Sequence, residues 1–348
     1  MSPSVKRLFI PRSPSGLCLL LSSFSRFDFG VLRLRGFDHP DLPGVNVPIR
    51  MMETRHHGFT TRRVLSLPSP YRLLALDVDG TLLDRSGKLR TRTVEAVVRA
   101  AKAGIRPVLC TGRRYRRALP IAEALGVNAP LVCNSGALVK EPEGDRTLWR
   151  GDMALELVAG LLALFADRDE FAISFTDRSR SEADFIAARD PTSRALVDDY
   201  LSQNRPHGEI DPRWTVDPAR IGPHYHICVI GDRATMLGVR DAVEARFGGR
   251  VTTFVQRSPR YRGTMCEVLR HDANKWSALL HLAEIWGIAT SEIVAVGDDC
   301  NDVPMLIGAG LGVAMGHAPA EVRAVADLVT LDEENDGLAS LIEEQLLA

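Results

Sequence analysis

From Tyr71 to the C-terminus, short apolar runs alternate with longer stretches of helical period, and this alternation constrains the fold of the 348-residue chain more than any other feature. YRLLALDVD reads as a strand, TRTVEAVVRAAKAG as a helix closed by Gly104, IRPVLCTG as a strand, RRALPIAEALG as a helix closed by Gly126, and PLVCNSG as a third strand. The pattern returns later with KWSALLHLAEIWG as a helix and SEIVAVGDD as a strand. NDVPMLIGAG, LGVAMG, APAEVRAVA and DLVTL then follow as helix, strand, helix and strand. Such β-α alternation predicts an α/β core: a doubly wound, Rossmann-like parallel sheet with helices on both faces.

Residues 151–264 have another rhythm. Helical patterns at ALELVAGLLALFAD, TSRALVDDYLS and ATMLGVRDAVEARFG are interleaved with strand patterns at FAISFT, YHICVIG, VTTFVQ and TMCEVL. This predicts an α+β cap inserted between two halves of the core, 71–150 and 265–348. The Pro-rich tract from Pro206 to Pro223 reads as loop. His224 and His226, flanking Tyr225 at strand spacing, read as packing or exposed residues rather than as metal ligands.

In an open parallel sheet the ligand crevice lies at the carboxyl ends of the strands, and the unusual polar residues fall there. Asp77 ends the first strand, Thr111 the second, Asn134 the third, and Asp298 the strand AVGDD. Asp77 and Asp79 are two apart, so on a strand they face the same way. Two like charges at the edge of an apolar core repel and lose hydration, which calls for a cation, a shared proton or a chemical task. Asp77, Asp79 and Asp298 supply hard oxygen ligands that suit Mg2+. Calcium in an EF-hand fails on spacing, because Gly80 stands fourth where that loop needs its glycine sixth. GAGLGVAMG from Gly308 does not satisfy the dinucleotide fingerprint, and no Walker A lysine motif occurs.

Composition narrows the class further. The balance of 45% hydrophobic and 25% charged residues is that of a globular protein. Residues 1–70 carry ten Lys/Arg against four Asp/Glu, while 71–348 carry thirty-three against forty, so the body is mildly acidic and unsuited to nucleic acid. The longest apolar runs, such as Leu157 to Ala166, fall far short of the roughly 20 residues of a membrane span. Six cysteines without a C-x-x-C pair suggest neither zinc nor a disulfide framework, and a cytoplasmic setting is expected. The Arg-, Ser- and Pro-rich first 70 residues resemble a transit leader. The expectation is instead a disordered extension, or a start called too early with Met51 or Met52 as the true one.

DVDGT at 77–81, TGR at 111–113, CNSGA at 133–137, Lys275 opening a helix, GDDCND at 297–302 and GVAMGHA at 312–318 together resemble the haloacid dehalogenase superfamily. More narrowly they resemble its Cof-type phosphatases, over about four-fifths of the chain. The resemblance implies that Asp77 is a nucleophile forming an aspartyl-phosphate and that Asp79 is a general acid and base whose main-chain carbonyl helps hold Mg2+. It implies phosphate-gripping roles for Thr111 and Lys275, with Val78, Gly112, Arg113, Asn134 and Asn301 also touching phosphate or substrate. Asp298 becomes a metal ligand and Asp302 a carboxylate supporting it. Asp299 is left out of the metal site, and Arg114, Arg116 and Arg117 are expected on a solvated helix face.

The expected function is Mg2+-dependent hydrolysis of a small phosphorylated metabolite, a sugar phosphate first, with a nucleotide or a phosphorylated cofactor as the alternative. The oligomeric state is left open. Two rivals come from other classes: a catalytically quiet phospho-sugar-binding relative, and a response-regulator receiver. The intact Asp77, Asp79, Thr111, Lys275 and Asp298 speak against the first, and the large insert speaks against the second.

Overall fold

The computed structural model describes residues 51–56, 59–64, 69–126, 129–178, 182–189, 195–257 and 261–348. Most of the expected leader lies outside these residues. Within it, strands β1 (Met51–His56) and β2 (Phe59–Val64) pair antiparallel.

The chain from Ser69 onward is one compact unit. Its strands run in chain order as β3 (Leu73–Leu76), β4 (Arg106–Cys110), β5 (Leu131–Cys133), β6 (Leu138–Lys140), β7 (Thr147–Arg150), β8 (Ile173–Phe175) and β9 (Phe185–Ala187). They continue as β10 (Gly208–Ile210), β11 (His226–Gly231), β12 (Val251–Arg257), β13 (Thr264–Arg270), β14 (Ile293–Gly297), β15 (Leu311–Ala314) and β16 (Leu328–Val329). The main helices are α1 (Thr91–Lys102), α2 (Tyr115–Leu125), α3 (Leu155–Asp167), α4 (Ala195–Asn204), α5 (Arg233–Phe247), α6 (Lys275–Ile285) and α7 (Val303–Gly308).

Eight strands form the core sheet in the order β16-β15-β14-β3-β4-β5-β6-β7. The chain winds from β3 toward β4 and β5 on one side, then returns to place β14 on the other, so the order reverses between β3 and β14. Strands β16 to β5 are parallel, whereas β6 and β7 add antiparallel at the edge, and the sheet is therefore mixed rather than wholly parallel. The apolar residues of β3 alternate between two cores. Leu73 and Ala75 join Ala278, Leu279 and Met305 on the α6–α7 side, while Leu74 and Leu76 join Ala96, Val97 and Ala122 on the α1–α2 side. A strand covered on both faces has to be apolar throughout, which is why polar residues appear only beyond Leu76.

A second sheet, ordered β10-β9-β8-β11-β13-β12, forms the inserted unit. Its Ile227, Val229, Cys266 and Val268 bury against Val158 and Leu161 of α3 and Met236 and Val239 of α5. Strand β13 pairs with both β11 and β12, so the insert extends to Arg270, beyond the boundary at 264 that the pattern suggested. The Pro-rich tract also departs from the expected loop. It contains β10 and several 3-10 turns, and the wholly buried Trp214 pins it to the cap core. Among the described residues no helix is long and apolar enough to cross a membrane.

The third motif strand ends at Cys133, and Asn134, Ser135 and Gly136 follow with positive φ. A Cβ on Gly136, whose φ is +98°, would lie 2.0 Å from the carbonyl carbon of Asn274 and 2.4 Å from the Lys275 nitrogen. Gly136→Ala should therefore destabilise the fold by about 2–4 kcal/mol through strain and backbone collision. Urea denaturation would measure it; an unchanged midpoint would mean that this turn does not press on the start of α6.

Candidate active site

The reversal between β3 and β14 opens a crevice at their carboxyl ends, and Asp77 and Asp298 stand one residue beyond each strand. Asp77 is 5% exposed, and its amide donates to the Val296 carbonyl at 2.9 Å, which clamps the two strand ends together. Gly80 follows with φ +85°, and a Cβ there would lie 2.5 Å from Asp298 Oδ2. Only glycine lets the D-V-D-G turn pass this close to the second carboxylate.

Lys275 is the first residue of α6, wholly buried, behind a capping box formed by Asn274 and Ser277. Its ammonium donates to Asp77 Oδ1 and to Asp302 Oδ1, each at 2.6 Å. Asp302 uses its other oxygen to accept from the amides of Asp298 and Asp299, both at 3.0 Å. Burial opposes the charge of Lys275, but Asp302 and Asp77 more than offset it and hold the ammonium above its ordinary range. Burial drives the Asp77 carboxyl well above the carboxylate range; Lys275 pulls against this, and Asp302 and Asp298 add to it. Burial likewise raises Asp298 to about 6, with His317 acting in the other direction. One buried ammonium thus faces three carboxylates, whose oxygens come within 4.8 Å of one another. This all-oxygen set lacks positive charge and could hold a hard divalent cation.

The remaining residues singled out by the sequence distribute unevenly. Thr111 is buried at the end of β4, where its hydroxyl accepts from the Arg113 amide at 3.1 Å. Arg113 grips Asp79 through two bonds, Nε to Oδ2 at 2.6 Å and a terminal nitrogen to Oδ1 at 2.5 Å. Asp77, Asp79, Thr111, Gly112, Arg113 and Asn301 all line one cavity of about 440 Å3 between core and cap. Val78 and Asn134 do not line it. The Val78 side chain belongs to the apolar core, and its carbonyl accepts from Leu82 and Leu83, so any substrate contact falls to its main chain. Asn134 instead meets His226 Nδ1 at 3.1 Å. Asp299 caps its own turn by accepting from the Cys300 amide, and burial raises the Cys300 thiol to about 12.

A sequence model of haloacid dehalogenase-like hydrolases matches residues 74–342. The chain belongs to that family. Among its hydrolase relatives, the Escherichia coli protein named pyridoxal phosphate phosphatase YbhA is 26% identical over 79% of this chain and 99% of its own length. A Yersinia pestis protein named HMP-PP phosphatase is 28% identical over 73% of this chain and 86% of its own. The crystal structure of a haloacid dehalogenase-like hydrolase from Bacteroides thetaiotaomicron superimposes with a TM-score of 0.64 at 25% identity, covering 78% and 98% of the two chains.

In this hydrolase the structure also corrects and extends the expected set of residues. Arg114 is buried, pairs with Asp184 and donates to Asn204, so it ties α2 to the cap instead of facing solvent. Arg116 reaches Asp184 and the Glu182 carbonyl, and Arg117 reaches the Gln203 carbonyl, with the same effect. The helical pattern gave no hint of these partners, which lie some seventy to ninety residues away in sequence. His317 is a further residue without an expected role. Its Nε2 lies 3.3 Å from Asp298 Oδ2 and its Nδ1 2.6 Å from the buried Glu333. Its place in GVAMGHA, just beyond β15, was the available signal.

Two outcomes follow. Lys275→Met leaves Asp77 and Asp302 buried without their counter-charge, which should cost about 3–5 kcal/mol of stability, and adding Asp302→Asn should recover part of it. Chemical denaturation of the single and double variants would measure this coupling, and strictly additive losses would refute it. The second outcome concerns Glu267 of β13, whose carboxyl burial raises from 4.5 to about 7 against hydrogen bonds from Ser135 and Gln256. The folded chain holds this proton more tightly, so the associated stability is complete below pH 4.5 and is lost as the pH rises through about 7. Glu267→Gln should flatten that part of a melting-temperature profile; identical slopes would assign the titration to another group.

Proposed function

We propose that this hydrolase is a Mg2+-dependent phosphatase of small phosphate monoesters that works through an aspartyl-phosphate on Asp77. The observation that carries this reading is the pairing, on one cavity edge, of a buried Asp77 held by Lys275 at 2.6 Å with an Asp79 two residues on. The names of two relatives mention pyridoxal phosphate and HMP-PP, which supports keeping a phosphorylated cofactor beside a sugar phosphate among the candidate substrates. The described cysteines are free thiols, which supports a reducing, cytoplasmic setting.

In the first step a carboxylate oxygen of Asp77 attacks phosphorus while the bond from phosphorus to the leaving oxygen breaks, and Asp79 gives that oxygen a proton. In the second, water attacks the phosphorus of phospho-Asp77, Asp79 takes a proton, and the acyl–phosphate bond breaks to restore Asp77. Lys275 and the Thr111 hydroxyl meet the negative charge of the transferring group. Arg113 engages both oxygens of Asp79, so proton donation requires that fork to open, and we read it as the resting arrangement. Asp77 and Asp298, with the Asp79 carbonyl, would hold Mg2+, which supplies positive charge to offset Asp77 against an incoming phosphate. Asp302, both of whose oxygens are engaged, keeps Lys275 and the 298–299 loop in position.

Asp79→Asn should slow phosphate release from a sugar phosphate far more than phosphorylation by nitrophenyl phosphate, because an alkoxide needs a proton to leave and a nitrophenolate does not. With the aryl substrate the variant should give a burst, and the phosphoenzyme on Asp77 should accumulate. Rapid-quench mass analysis, with and without chelator and restored Mg2+, tests both parts. Equal slowing of the two substrates without an adduct would refute the division of labour between the aspartates, and full turnover in excess chelator would refute the metal.

A further inference from the structure

The face of the cap sheet that looks into the cavity carries a polar set the mechanism does not use. On β11 the residues alternate, Ile227 and Val229 pointing into the cap core while His226 shares the opposite face with Cys228 and Ile230. On β13 Cys266 and Val268 point into that core, and Met265 and Glu267 turn to the cavity, which His226 and Phe175 also line. Cys228 pairs with Glu267 across the strands, which makes His226 the diagonal neighbour of Glu267.

Both side chains are held from behind. The His226 ring lies 4.4 Å from the Phe175 ring, and its Nδ1 meets the side-chain nitrogen of Asn134 at 3.1 Å, which makes Nδ1 the acceptor and places the ring proton on Nε2. Glu267 Oε2 accepts from the Ser135 hydroxyl at 2.6 Å, and Gln256 lies next to Ser135. Burial lowers His226 to about 3, so the ring is neutral and makes no ion pair with Glu267. His226 is 1% exposed and Glu267 2%, yet His226 Nε2 has no hydrogen-bond partner. Nε2 stands 3.8 Å from Glu267 Oε1, too far for a direct bond. An oxygen set to one side of the pair, off the line that joins them, would reach hydrogen-bond distance of both.

We propose that His226 and Glu267 form a hydroxyl-recognition subsite for the leaving group: one ligand hydroxyl accepts from His226 Nε2 and donates to Glu267 Oε1. The proposal rests on the phosphatase reading and adds the chemistry of the substrate beyond its phosphate. A hydroxyl fits because it both donates and accepts, whereas an ether or an amine nitrogen without a lone pair leaves one buried partner unmatched and a methyl leaves both. Among the candidate substrates, sugar phosphates carry such a group on several carbons, nucleotides on the ribose, and phosphorylated hydroxypyridines on the ring. The carbohydrate is the better match to the polar set, with Gln256, Asn301 and Arg113 near the phosphate end of the same cavity.

The test compares kcat/KM for hexose 6-phosphates with their monodeoxy analogues, and for pyridoxal 5′-phosphate with its 3-deoxy analogue, using nitrophenyl phosphate as the reference. Loss of the recognised hydroxyl should lower kcat/KM about tenfold or more, since it strands two buried polar groups. A drop confined to one deoxyhexose identifies a sugar hydroxyl, and a drop confined to 3-deoxypyridoxal phosphate identifies the phenol; either supports the subsite. His226→Phe and Glu267→Gln should each make parent and deoxy compound equivalent, with the parent losing at least tenfold more than nitrophenyl phosphate does, mainly through KM. Glu267→Gln, the gentler change, keeps the test open if His226→Phe folds poorly. Hydrolysis of all parents and deoxy analogues at equal rates, or variants that lose equally on every substrate, would overturn the subsite and leave the phosphatase reading standing. No phosphate release from any ester, nitrophenyl phosphate included, would overturn both.

Discussion

A single buried ammonium organises this molecule. Lys275 is wholly inaccessible, and charge at that depth is tolerated only because Asp77 and Asp302 accept its hydrogen bonds at 2.6 Å. Several local features serve that contact. The Asn274–Ser277 capping box fixes where α6 begins, and Gly136 lets the 134–136 turn lie directly on that helix start. Gly297 has the same function opposite, since a Cβ there would fall 2.4 Å from the Asp302 carboxyl carbon. Because one ammonium faces three carboxylates, the same arrangement that stabilises Lys275 leaves the crevice able to receive a cation.

The cap meets the core through charged side chains rather than through a continuous apolar seam alone. Arg114 joins Asp184 and Asn204, and Lys140 of the core edge joins Asp177, which also accepts from Arg150 and Thr147. Such pairs hold a specific docking geometry with directional bonds, which a flat apolar contact would not. Between them the cavity is lined by Asp77, Asp79, Thr111 and Asn301 on the core side and by Phe175, His226, Gln256, Arg257 and Glu267 on the cap sheet. The reacting phosphate and the rest of a substrate would therefore be read by different elements.

Much of the core was legible in the sequence. The β-α repeat predicted the doubly wound sheet, and its strand ends delivered Asp77, Thr111 and Asp298 to one edge. Less legible was whatever lacked a strong period. The hairpin of β6 and β7, with three or four residues per strand, and the 3-10 turns around Trp214 are too short to show one. The arginines of RRYRR looked like a solvated face because a helix pattern reports only which residues are polar, not whether an acidic partner from another unit will cover them.

The sequence by itself determined the fold class and the identity of the residues at the strand ends. Alternation and turn chemistry are local, and a parallel sheet sends every strand's carboxyl end to the same edge. Only the tertiary structure decided the pairings: Lys275 with Asp77 across 198 positions, Ser135 with Glu267 across 132, and Asn134 with His226 across 92. It also decided that His226 and Glu267 come within 3.8 Å of each other on one face of the cap sheet while Asn134 stands outside the cavity. These outcomes depend on how the cap docks on the core. Docking is set by the summed packing and charge pairing of two surfaces, and no local pattern in the chain encodes their relative placement.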